Sequence, residues 1–205
     1  MTEDEAHAWL LEGYGAARMS RLTAYVELLM AGAVEQNLIA ATTIDQLWAR
    51  HIVDSAQLAQ LGDSAGLWAD VGSGAGLPGI VVALLTDAPM LLIEPRRLRV
   101  AFLQRCIDAL DLAHQVTIAP VKSQRATVRS PVSVITARAV APLPELFAGA
   151  AHLAGDSTLW LLPKGRSARS EVAEAQRAWQ GMFHVKPSIT DPEAGIVVAR
   201  GVRRR

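Results

Sequence analysis

The apolar positions of this chain change period near residue 67. Before that point they recur in helical steps. Over residues 20–39, "SRLTAYVELLMAGAVEQNLI", Leu22, Tyr25, Val26, Leu29 and Ala33 share one helical face. Thr43, or Thr42, is placed to cap a following helix with Ile44, Leu47, Trp48 and Ile52 on its buried stripe. After residue 67 the pattern becomes short apolar runs bounded by turn residues: Leu67–Val71, Met90–Ile93, Val116–Ala119, Val132–Thr136 and Thr158–Leu162. Helical patterns lie between them, over Pro78–Leu85, Leu98–Leu110, Leu143–Leu153 and Ala168–Trp179. Buried strands alternating with helices predict an α/β fold, a parallel sheet covered on both faces. Met182–Lys186 and Gly195–Arg200 read as two late strands split by "PSITDPEA". With no helix between them they must pair as an antiparallel hairpin. The expected organisation is a helical extension over residues 1–62 and an α/β unit over 63–205, packed as one compact body.

Composition narrows the class. The chain has 205 residues, 51% hydrophobic and 20% charged, which suits a folded body with a sizeable core. No apolar run reaches the roughly 18–20 residues of a membrane span, and "MTEDEAHAWL" is too acidic for a signal peptide. The expected location is the cytoplasm. Cys106 is the one cysteine, which excludes an internal disulfide framework and a cysteine-built zinc site; no metal is expected. Cys106 shares a helical face with Phe102, as a core thiol would. Net charge is zero, which argues against a sequence-blind nucleic-acid binder but allows a local basic patch. Only Lys122, Lys164 and Lys186 are lysines, so arginine, the better fork for phosphate, dominates.

The candidate chemistry sits in "WADVGSGAGLPGIVVALL", residues 68–85. Apolar strand, glycines and helix in succession form a ligand-binding turn, because glycine lets a ligand approach the backbone. The glycines fit two registers. From Gly74 they match G-x-G-x-x-G, the dinucleotide fingerprint. From Asp70 they match acid-x-G-x-G-x-G, as in S-adenosylmethionine enzymes. Counting from Gly74 leaves Gly72 and Ser73 unexplained and starts the helix late. Counting from Gly72, directly after the strand, uses Asp70 to orient the loop and face the cationic amino-acid end of the cofactor. Pro78 then falls in the first helical turn. Glu94, closing "MLLIE", can accept from both ribose hydroxyls, which serves either cofactor.

Further segments carry a resemblance. "WARHIVDS" (48–55), "DVGSGAGLPGI" (70–80), "LIEPRRLRVAFL" (92–103), "TARAVAPL" (136–143) and "LPKG" (162–165) resemble, in that order, the RsmG family, also called GidB, of bacterial 16S rRNA guanine-N7 methyltransferases. The "IEP-RR" form is similar to its actinobacterial branch. The resemblance implies a class I, Rossmann-like methyltransferase fold behind an N-terminal helical extension, with S-adenosylmethionine as cofactor. It implies a cofactor site at Asp70, Gly72, Gly74, Leu77, Glu94, Arg125, Ala126 and Arg138. It also implies a partner, the 16S rRNA of the small ribosomal subunit, with neither DNA nor a membrane involved and the chain acting as a monomer. Lys164 matches a family lysine suspected of touching RNA. The chain departs from the family after the third strand, where "VKSQRATV" lacks the usual paired glutamates, so contacts at Arg125 and Ala126 are expected from backbone.

The chemistry agrees. Guanine N7 carries a free lone pair, so methylation needs orientation more than a general base. The sequence offers no Ser-His-Asp, H-E-x-x-H or Walker lysine pattern. Arg138 and Lys164 are the positioning candidates, at the carboxyl ends of strands. Arg50, His51, Arg96, Arg97, Arg99, Lys164 and Arg166 are the candidate RNA contacts. Two other readings remain: an NAD(P)-dependent oxidoreductase using the Gly74 register, and a non-catalytic RNA- or nucleotide-binding module.

Overall fold

The computed structural model describes residues 1–205. It opens on a long helix, α1 (Glu3–Glu35), started by a capping box. The Thr2 hydroxyl accepts from the Glu5 amide, and the Glu5 carboxylate accepts from the Thr2 amide. Gly15 interrupts the helical geometry and kinks the element. Past the kink, Leu22, Tyr25, Leu29 and Gly32 are buried, while Val26 and Ala33 lie at the margin of the stripe.

The next segment departs from the expected capped helix. Ala41–Gln46 is a 3-10 turn with no side-chain cap, and Trp48–Val53 is a wide π-type turn that runs into α2 (Asp54–Ala59). The Thr43 hydroxyl instead donates to the Ala40 carbonyl at 2.8 Å. The capping function comes from another element. The Glu3 carboxylate accepts from the Trp48 and Ala49 amides at 3.0 and 2.8 Å. An anion there satisfies backbone donors that a helix start leaves free. Leu47 and Ile52 are buried as expected; Ile44 and Trp48 are half-buried.

Five strands run parallel: β1 (Trp68–Val71), β2 (Met90–Ile93), β3 (Val116–Ala119), β4 (Val132–Thr136) and β5 (Ala154–Lys164). β2, β3 and β4 have the bounds their apolar runs predict, and β5 extends beyond its run at both ends. β6 (Trp179–Pro187) and β7 (Gly195–Arg204) form the antiparallel hairpin, giving the order β3-β2-β1-β4-β5-β7-β6. Burial explains why β7 lies inside and β6 at the edge. Ile196, Val197 and Ala199 of β7 are enclosed, whereas most β6 side chains reach solvent. α3 (Gly79–Leu85) and α4 (Arg97–Ala109) cover one face of the sheet together with α1 and α2. α5 (Leu143–Ala150) and α6 (Ala168–Ala175) cover the other, around Phe147, Trp160 and Trp179. The α6 pattern ends earlier than its apolar spacing suggests, because Trp179 turns into β6 and packs 5.7 Å from Phe147.

Chain order reverses between β1 and β4. In open α/β sheets the crevice at the carboxyl ends of such strands is where ligands bind. No helix is long and apolar enough to cross a membrane.

Candidate active site

The turn after β1 is built from beneath. The Gly72 and Ser73 amides donate to the Ile93 carbonyl at 2.8 and 3.2 Å, tying the turn to the end of β2. Asp70 lies wholly enclosed under it. One carboxylate oxygen accepts from the Gly79 amide at 3.1 Å, the other from the Thr136 hydroxyl at 3.0 Å. Burial pushes its pKa up to about 6, opposed by the hydrogen bonds from Thr136 and the Gly79 amide. Asp70 therefore holds the loop to α3 and β4. Its expected second role, facing a cofactor ammonium, is not what the geometry provides. Pro78 immediately precedes α3 instead of opening it. Gly79 must be glycine for packing: a Cβ there would overlap Leu92 and sit 2.8 Å from the Asp70 carboxylate.

Two clefts open at the strand ends. The smaller, about 320 Å³, is lined by Gly72, Ile93, Glu94, Arg96, Arg99, Lys122, Ser123 and Gln124. In it Glu94 accepts from the Gly74 and Arg96 amides, both at 2.9 Å. Each oxygen keeps a second lone pair for a ligand hydroxyl. The larger cleft, about 550 Å³, is lined by Arg50, Asp54, Arg138, Lys164, Ser188 and Thr190, among others. Ala139 and Val140 line both clefts and form the wall between them. Ala139 is one of two non-glycine residues at positive φ, 54°. Val140, 44% exposed, leans over the turn: a Cβ on Gly72 would lie 2.6 Å from its Cγ2.

Arg138 is held at the wall by the π-type turn. Its Nη1 donates to His51 Nδ1 at 3.0 Å and to the Arg50 carbonyl at 3.2 Å, and lies 3.5 Å from Asp54 Oδ2. Burial, then the charges of Arg138 and Arg50, lower the His51 pKa to about 4, so the ring is neutral. Because Nδ1 accepts, Nε2 carries the proton and donates to the Thr43 hydroxyl at 2.8 Å, which in turn donates to the Ala40 carbonyl. Both imidazole nitrogens are thereby occupied. Cys106 is enclosed in the core, its thiol pKa pushed up to about 12 by burial, as expected of a packing thiol.

The geometry brings together part of the sequence-predicted set. Gly72 and Glu94 line the smaller cleft, and Arg138 lines the larger. Gly74 and Leu77 line neither: the Gly74 amide faces Glu94, and Leu77 is buried in the core. Arg125 projects to solvent from the turn Ser123–Arg125, while Ala126 is buried and its carbonyl is bonded by His152. Their neighbours Lys122, Ser123 and Gln124 meet the cleft instead, a shift of a few residues along the strand-three loop. The basic candidates also divide. Arg50 pairs with Asp191 at 3.2 Å, Lys164 with Glu171 at 2.8 Å, and Arg166 with Glu193. Arg96, Arg97 and Arg99 make no ion pair and gather at the start of α4, where Arg96 and Arg99 line the smaller cleft. No group of three or more His, Cys, Asp or Glu side chains is arranged to hold a metal ion.

The rRNA small subunit methyltransferase G (GidB) family model matches residues 18–194. This chain belongs to that family. Ribosomal RNA small subunit methyltransferase G of Rhizorhabdus wittichii is 47% identical over 208 residues, covering 100% of this chain and 95% of that protein. The Sphingopyxis alaskensis protein of the same name is 46% identical, covering 97% and 86%. Among solved structures, the glycopeptide N-methyltransferase MtfA bound to S-adenosyl-homocysteine aligns with a TM-score of 0.62 at 10% identity, over 73% of this chain and 89% of that one. M. jannaschii TYW2 with AdoMet aligns at 0.57 and 12% identity, over 76% of each. These likenesses show the fold: a class I methyltransferase sheet.

In this family member several site residues escape the sequence reading. Tyr25, read as core, is buried and also donates its hydroxyl to the Ala75 carbonyl at 2.7 Å, tying α1 to the glycine turn. Thr136 and Val140 lay within the quoted "TARAVAPL" but without assigned roles, and Glu171 carries no motif signal. Asp54 lay within the quoted "WARHIVDS" but without an assigned role.

Proposed function

We propose that this chain transfers the methyl group of S-adenosylmethionine to N7 of a guanine in the 16S rRNA of the small ribosomal subunit. The observation that carries this reading is the pair of clefts at the sheet's switch point, sharing one thin wall at Ala139–Val140. The smaller suits the cofactor. A backbone turn without a side chain at Gly72 leaves room for close approach, and Glu94 presents acceptors for ribose hydroxyls. Lys122, Ser123 and Gln124 close the end where an adenine would lie. S-adenosylmethionine, when bound, supplies an electrophilic methyl on a sulfonium. The protein's task is to orient a nucleophile against it, an effect that reaches about 7–11 kcal/mol in the best model systems.

The larger cleft suits the base. Guanine N7 needs no deprotonation, and the imidazole nearest the wall has both nitrogens engaged, so it is not poised as a base. Arg138, drawn back by His51 and Asp54, keeps its charge off the methyl. A bidentate contact to O6 and N7 would block the attacking atom. In this reading residues 1–62 are an extension that delivers Arg50, His51 and Asp54 to the 63–205 unit. The ion-pair-free Arg96, Arg97 and Arg99 supply the phosphate contacts, and the chain works as a cytoplasmic monomer. N7 lies in the deep groove of an RNA helix, so the target is an exposed guanine in a folded subunit.

The test is incubation with small subunits from a strain lacking this enzyme and a methyl-labelled donor. Label in 16S rRNA as 7-methylguanosine is expected. Stabilisation by NAD but not S-adenosylhomocysteine in a thermal-shift assay would sink the reading. Cofactor binding with no label would leave an RNA-binding module.

A further inference from the structure

The segment Arg138–Leu143 forms the wall between the clefts yet lies outside every helix and strand until α5 begins. Something must hold it, because Ala139 sits in a backbone region that L-residues rarely adopt. The holding contacts come from across the sheet. Lys164, at the end of β5, donates its ammonium to the Ala141 carbonyl at 2.7 Å and pairs with Glu171 at 2.8 Å. Glu171, on α6, accepts the Leu143 amide at 3.1 Å and the Ser167 hydroxyl at 2.8 Å. The pair thus grips the segment at two backbone points on either side of Pro142. The Lys164 side chain is only 11% exposed, with two of its three ammonium donors engaged by Ala141 and Glu171. Its charge is already balanced by the Glu171 carboxylate.

We propose that Lys164 and Glu171 act as a positioning pair for methyl transfer, fixing the wall segment and through it Val140 and Arg138, and that Lys164 does not grip RNA. The proposal rests on the methyltransferase reading above. It adds Glu171, whose type and place in "ARSEVAEA" mark only a solvated helix face. Burial alone would raise the Glu171 pKa, but the Lys164, Ser167 and Leu143 donors bring it below its ordinary value, as a carboxylate locked in this geometry requires.

The two roles of Lys164 predict opposite effects at Glu171. If Lys164 served phosphate, removing the competing carboxylate would free it and tighten RNA binding. If the pair positions the wall, removing either partner impairs turnover. The experiment measures kcat and KM for small subunits in the full-length wild type, Lys164→Met, Glu171→Gln and the double variant, with S-adenosylhomocysteine affinity from calorimetry. We expect kcat to fall roughly 10- to 100-fold in each single variant, the scale of a 1 Å misplacement. KM and its salt dependence should change little, and the double variant should be no worse than the poorer single one. A lower KM in Glu171→Gln, or a raised KM with a shallower salt slope confined to Lys164→Met, overturns the proposal. Glu171→Asp, which keeps the charge but cannot span both Lys164 and Leu143, covers the case in which Glu171→Gln does not fold; unchanged kcat there is equally fatal. A wild type that labels no 16S rRNA refutes the methyltransferase reading itself, a result separate from either outcome.

Discussion

At the scale of single residues, the site depends on where side chains are absent or neutral. Gly72 has φ 71°, and a Cβ there would lie 2.6 Å from Val140 Cγ2. Gly72→Val places a β-branched residue in that conformation, at about 1–3 kcal/mol of folded-state strain, and puts its side chain into the cleft, so affinity for S-adenosylhomocysteine should fall at least roughly tenfold. Calorimetry giving wild-type affinity would mean the ligand does not pass over this turn. His51 makes a pH prediction. Its folded pKa lies near 4 against an ordinary 6.5, so between those values the unfolded chain takes up a proton that the folded one refuses. Stability is therefore lost as pH falls from 6.5 towards 4. His51→Gln removes this linkage: its melting temperature should drop less than the wild type's between pH 7 and 5. Parallel curves would show that the ring is not held neutral. His51 was legible as a site residue from "WARH", but its neutral state was not, because the burial that chiefly enforces it and the approach of Arg138 arise only in three dimensions.

At the scale of elements, the strands were legible because each apolar run is short and flanked by turn residues, and β1, β2 and β4 are largely enclosed. β2, β3 and β4 match their runs end to end. The N-terminal region was less so. The spacing around Trp48 reads as one regular helix, whereas a 3-10 turn and a π-type turn succeed each other there. Their free amides are satisfied by Glu3, 45 and 46 positions away, a distance at which local pattern carries no signal. The same limit hid the link between α1 and the glycine turn. Tyr25→Phe leaves the buried Ala75 carbonyl without its donor, which should cost about 1–3 kcal/mol of stability. Urea unfolding measures that loss. Weaker S-adenosylhomocysteine binding should accompany it, since the turn loses a tether. Unchanged stability would mean that water replaces the hydroxyl.

At the scale of the whole molecule, neutrality conceals an uneven surface. Arg50, Arg138, Lys164 and Arg166 lie in or beside the larger cleft, each paired with a carboxylate, while Arg96, Arg97 and Arg99 gather unpaired at the start of α4 beside Leu98, 72% exposed. Arg97→Ala should raise KM for small subunits and reduce the salt slope by about one. Arg166→Ala should do so much less, because its charge is already balanced by Glu193. Equal effects from the two would place RNA across both clefts.

The sequence by itself determined the fold and the position of the glycine turn. Strand, glycines and helix are contiguous in the chain, and the period of the apolar residues is set by local geometry. It also marked the chain, through five short segments, as a member of its methyltransferase family. Only the tertiary structure decided which marked residues meet a cleft. It turned Asp70 inward, brought Lys122–Gln124 rather than Arg125 and Ala126 to the cleft, and paired Lys164 with Glu171. The reason is physical. Secondary structure follows from spacing along the chain, whereas the partner of a charge depends on which distant side chain burial brings within about 3 Å.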